Sequence, residues 1–82
     1  MEAADRKIEE AAAAIRDYLQ RRPEAADTED GIAHWWVYPA TGENDFDVVL
    51  AALALLEQRG EIEARQVGRR FLYRAGPALR EN

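Results

Sequence analysis

The sequence predicts an α+β fold, mostly helical, in which three helices are followed by a C-terminal two-stranded β-hairpin, all within one domain covering residues 1–82. Three observations carry this reading. Apolar residues recur at three- and four-residue steps through the first third of the chain. An uninterrupted apolar run, Val48 to Leu56, lies between a cap at Asp45, or Asn44 just before it, and a stop at Gly60. Beyond Gly60, apolar and polar residues alternate with period two on both sides of Gly68.

Helix 1 is expected over residues 4–21. Ile8, Ala11, Ala12, Ile15, Tyr18 and Leu19 fall on one stripe, with Glu9, Glu10, Arg16 and Asp17 off it. Arg21 and Arg22 suit a helix C-terminus, and Pro23 cannot continue the hydrogen-bond ladder. Pro23 to Thr28 reads as a short connection, ending in an N-cap at Asp27 or Thr28 with Glu29 and Asp30 in the first turn. Helix 2 is expected over residues 29–37. Ile32, Trp35 and Trp36 share one side and His34 points away. Two adjacent tryptophans cannot both centre on one stripe, so at least one is expected to be partly exposed, while in a domain this small both are expected to contribute to the core, with an interface role as the alternative.

Tyr38 to Asn44, with Pro39, Gly42 and Asn44, reads as a loop. Helix 3 follows over residues 46–59. At 100° per residue its core face is Val48, Val49, Ala52, Leu53, Leu55 and Leu56, and its outer face is Asp47, Leu50, Ala51, Ala54, Glu57 and Gln58. Gly60 supplies the left-handed stop. The hairpin is expected over residues 61–75. A two-residue turn at Gly68 and Arg69, of the type with glycine first, sets Val67 opposite Arg70 and Glu63 opposite Arg74. Ile62, Ala64, Gln66, Phe71, Tyr73 and Ala75 then face the core, and the other face, with a Glu63 to Arg74 pair, faces outward. Residues 76–82 read as a tail.

Composition narrows the function classes. The chain has no cysteine, no serine and one histidine, so disulfides, thiolate metal sites and the usual nucleophiles are all missing. No glycine-rich phosphate loop and no metal-ligand spacing occurs, and the paired carboxylates Glu9/Glu10 and Asp45/Asp47 have plain helix-surface or N-terminal explanations. A non-enzyme without catalytic, cofactor or metal residues is expected. No apolar run reaches membrane-spanning length, and the first residues lack a basic segment followed by an apolar one; a cytoplasmic location and no membrane partner are expected. The net charge of −5 is unevenly placed. Residues 1–59 hold six basic and thirteen acidic side chains, −7, and residues 60–82 hold five arginines and three glutamates, +2.

The order helix, short helix, loop, helix, hairpin resembles the winged-helix (winged helix-turn-helix) family. The resemblance rests on the spacing Val49, Ala52-Leu53, Leu56, Gly60 and Ile62, followed by an arginine-bearing turn and the Phe71 to Tyr73 strand. It implies a groove-reading face at Phe46, Asp47, Leu50, Ala51 and Ala54, with wing contacts to nucleic acid at Arg65, Arg69 and Arg70. The wing suits DNA and the helix face does not, because base and phosphate contacts rely on cations and amides that this face lacks.

Leu50, Ala51 and Ala54 form an apolar strip flanked by Asp47 and Gln58. That strip reads either as a solvated alanine-rich surface or as a protein-binding patch with an apolar centre and a polar rim. The favoured function is a protein-interaction or assembly module working through Phe46, Asp47, Leu50, Ala51, Ala54 and Trp35, with a protein partner or a second copy. The alternative is a DNA-binding transcriptional regulator leading with Arg65, Arg69 and Arg70, although those arginines also suit a solubilising edge. No small-molecule substrate is indicated.

Overall fold

The computed structural model describes residues 2–80, with side chains over 4–80. Its fold is α+β with helix predominating, and the sheet has three antiparallel strands rather than the two expected. Helix α1 spans Glu2–Arg21, two residues earlier than its apolar stripe suggests. Its buried Ala11, Ala12, Ile15 and Leu19 lie on that stripe.

The additional strand, β1, is Ala26–Asp27, in the segment expected to be a bare connection. It pairs with strand β3 (Arg70–Ala75), Ala26 opposite Arg74 and Asp27 opposite Tyr73. Alanine and aspartate have little strand preference of their own, so a free edge on β3 recruits this pair, and local sequence gives no signal of it.

The second helix, α2, occupies residues 29–41 as three joined stretches: an α-helical turn Glu29–Gly31, a π-helical stretch Ile32–Val37 and an α-helical turn Tyr38–Thr41. Thr28 is the cap, its Oγ1 accepting from the Gly31 amide at 3.2 Å. The helix runs four residues past the expected end and straight through Pro39. A proline inside an α-helix lacks one donor, and its ring collides with the carbonyl one turn back. The wider π turn just before it, in which the Tyr38 amide donates to the Ala33 carbonyl, removes that α-helical demand. Gly42, at φ 74°, then ends the helix by donating to the Tyr38 carbonyl at 2.8 Å.

Helix α3 is Phe46–Gln58, capped by Asp45, whose Oδ1 accepts from the amides of Asp47 and Val48. Gly60 at φ 73° closes it: its amide donates to the Glu57 carbonyl, and the Glu61 amide reaches back to that of Leu56, both at 3.0 Å. This is a Schellman stop. Val49, Ala52, Leu53 and Leu56 are buried, with Val48 and Leu55 packed at the margin. They meet α1 and buried Ile32, Ala33, Trp36 and Val37 of α2. Trp36 is 3% exposed and stacks on Tyr18, ring centroids 4.3 Å apart, while Trp35 is 64% exposed. The expectation that both tryptophans fill the core therefore fails: adjacent helical positions diverge and only one faces α1.

Strand β2, Ile62–Val67, pairs with β3 in the register read from the alternation, Glu63 opposite Arg74 and Val67 opposite Arg70. Gly68 takes φ 64° and Arg69 stays at negative φ, as a glycine-first hairpin turn requires. The expected inner face reaches the core only at its base. Ile62 and Ala75 are buried, Ala64 and Tyr73 are half-buried, and Gln66 and Phe71 are exposed. Six-residue strands are roughly 20 Å long, about twice a helix diameter, so the distal half of the hairpin outruns the helices beneath it.

Residues expected to form a tail instead make a one-turn helix, α4, at Pro77–Arg80. The Gly76 amide donates to the Glu61 carbonyl at 2.7 Å and that of Ala78 to Gly60 at 3.0 Å, which lays Leu79 against the core. Gly76 is required here because a Cβ would overlap the Gly60 carbonyl oxygen and come within 3.0 Å of the Ile62 backbone.

Candidate functional site

The outer face of α3 is the natural starting point, because it carries no cation from Phe46 to Gln58. Phe46, Asp47 and Ala54 are exposed, but Leu50 and Ala51 are half-buried, so the face is less open than a helical wheel implies. Part of the cover comes from α1. Ala51, Ala54, Leu55 and Gln58 form one wall of a groove of about 540 Å³, and Asp5, Ile8 and Glu9 form the other. Two alanines one turn apart create the recess, since a larger side chain at either position would fill it.

The groove has an apolar floor and an acidic edge. Asp5 is exposed, and Glu9 meets Arg59 at 3.6 Å in an exposed ion pair. Below it, Arg16 on α1 binds both carboxylate oxygens of half-buried Glu61, the longer contact being 3.4 Å. This hydrogen-bonded pair raises the Arg16 pKa further and fixes α1 against the end of α3. The groove therefore lies between two elements that are tied together at its lower end.

Of the residues picked out from sequence, Ala51 and Ala54 line this groove, and Phe46, Asp47 and Leu50 lie on the same helix outside it. Trp35 is on α2, where the rings of His34 and Trp35 meet edge to face at 4.5 Å and Tyr38 stacks near His34. Trp35 and Tyr38 form an exposed aromatic patch that is not part of the groove lining. Asp5, Ile8 and Glu9 escaped the sequence reading. Ile8 belongs to the core stripe of α1 and Glu9 to its polar side, and nothing local says that α3 leaves a gap beside them. The small residues Ala51 and Ala54 at helical spacing were the available hint.

The hairpin tip is the second feature. Arg65, Arg69 and Arg70 are exposed and make no ion pair among the described residues, in contrast to Arg74, whose Nε donates to Glu63 Oε1 at 2.8 Å. Val67 and Phe71 beside them are 52% and 47% exposed. At the base, the Tyr73 hydroxyl donates to Glu29 Oε2 at 3.0 Å, and burial together with that carboxylate pushes its pKa up to about 12.

Among the described residues, no group of three or more histidine, aspartate or glutamate side chains is placed to hold a metal ion. No described helix is long and apolar enough to cross a membrane. Comparison with protein-family models, with curated proteins and with solved structures returned no match.

Proposed function

We propose that this chain is a small non-catalytic winged-helix module for protein interaction or assembly, docking a protein through the outer face of α3. The winged-helix reading is supported by the order of elements, three helices ahead of an arginine-tipped hairpin, with β1 tying the α1–α2 connection to β3. The docking reading is carried by one observation: the α3 face that would enter a DNA groove is apolar and acidic and opens onto an acid-edged groove. Duplex DNA presents a dense row of phosphates, and Asp5, Glu9 and Asp47 would repel it.

A second reading, DNA binding led by the wing, is favoured by the exposed and unpaired state of Arg65, Arg69 and Arg70 among the described residues. Retardation of random duplex DNA at low ionic strength separates the two. The docking reading expects no shift. Retardation that weakens steeply with salt and disappears when Arg65, Arg69 and Arg70 are all changed to alanine would overturn it in favour of the wing.

A further inference from the structure

We propose that the groove between α1 and α3 receives the hairpin tip of a second copy of this chain. The inference rests on reading the α3 face as a docking surface and adds the identity of its occupant.

The two surfaces are complementary in polarity and in charge. On the outer strand face of the hairpin, Arg65 lies opposite half-buried Leu72 and Val67 opposite Arg70, so two apolar side chains alternate with two cations in one patch. In the groove, Ile8, Ala51, Ala54 and Leu55 make an apolar floor edged along α1 by Asp5 and Glu9. The same asymmetry runs through the whole chain, −7 over residues 1–59 and +2 over residues 60–82. Opposite charges facing one another steer encounter and fix register, while the apolar centres supply the burial.

The tip does not fill the groove of its own molecule, since Val67 is 52% exposed and the hairpin projects beyond the helices. A second copy therefore meets both surfaces free. Glu9 is shared with Arg59 at 3.6 Å, an exposed pair that an incoming guanidinium can join without breaking a buried contact. Because tip and groove are different patches, the contact is heterologous. It propagates head to tail unless two copies exchange hairpins about a two-fold axis.

Sedimentation velocity of the full chain over a wide concentration range, at low and at high salt, tests this. The expected result is a mass that rises with concentration and falls with salt. The double variant R65E/R70E, at exposed strand positions, and A54R, which fills the recess, should each weaken association by roughly tenfold or more. D5R/E9R should do the same, and a one-to-one mixture of D5R/E9R with R65E/R70E should associate more tightly than either variant alone. Circular dichroism confirms that each variant is folded; should a groove variant unfold, R65E/R70E alone decides.

A chain that stays monomeric throughout, or association untouched by both the tip and the groove substitutions, overturns the proposal. Neither result touches the broader docking reading, whose failure shows separately as arginine-dependent retardation of DNA.

Discussion

The adjacent tryptophans offer a sharp test of how α2 is oriented. Trp36 is 3% exposed and stacks on Tyr18 at 4.3 Å with the ring planes 10° apart, and the Arg22 guanidinium lies 5.4 Å from the Tyr18 ring centroid. Removing a buried tryptophan costs about 3–5 kcal/mol, of which about 0.5–1.5 kcal/mol belongs to the aromatic stack itself. A domain of 82 residues has a stability of roughly 4–12 kcal/mol at typical values per residue. Trp36→Ala therefore removes a large fraction of the total. Trp35→Ala, at a side chain 64% exposed, should change it by no more than about 0.5 kcal/mol.

Urea titration followed by far-ultraviolet circular dichroism reads both variants without depending on the fluorescence of the deleted residue. With a slope of about 1–2 kcal/mol per molar for a chain this small, Trp36→Ala should lower the midpoint by roughly 1.5–5 M, and Trp35→Ala should leave it nearly unchanged. A double-mutant cycle with Tyr18→Ala should return a coupling of about 1 kcal/mol. Equal losses at the two tryptophans, or a larger loss at Trp35, would refute the orientation of α2.

Tyr73→Phe should cost about 1 kcal/mol through loss of the bond to Glu29, measured by the same titration at neutral pH. Because the folded state raises the Tyr73 pKa from 10.0 to about 12, its stabilisation is complete below pH 10 and is lost as pH climbs from about 10 to 12; the phenylalanine variant should lack this alkaline component. Gly76→Ala should lower stability by about 1–3 kcal/mol, as overpacking against backbone does, and an unchanged melting temperature would mean that Gly60 and Ile62 do not crowd that position. Phe71→Ala should be within about 0.5 kcal/mol of the parent by urea titration, since the ring is 47% exposed; a core-sized loss would show that the hairpin lies down on the helices.

The sequence alone determined much of this fold, for reasons that are local. The i, i+3, i+4 stripe of α1, the Asp45 cap, the Gly60 stop and the Glu63 to Arg74 register each depend on residues a turn or a strand pair apart, where chain geometry fixes the neighbours. The absence of cations from the α3 face was equally legible, since it is a property of one helix.

Tertiary structure decided the rest, because those features need a partner distant in the chain. Strand β1 exists only because β3 offers an edge, and α4 only because Gly60 and Glu61 offer carbonyls to residues 76 and 78. Pro39 sits inside a helix because a π turn widens the backbone ahead of it, and the packing of α2 on α1, with Trp36 against Tyr18, settles which tryptophan enters the core. The candidate site followed the same division. Ala51 and Ala54 were marked by their spacing, but Asp5, Ile8 and Glu9 became groove residues only when α1 packed beside α3. Side-chain identity is written in the sequence; which surfaces close on one another is set by how whole helices share a core.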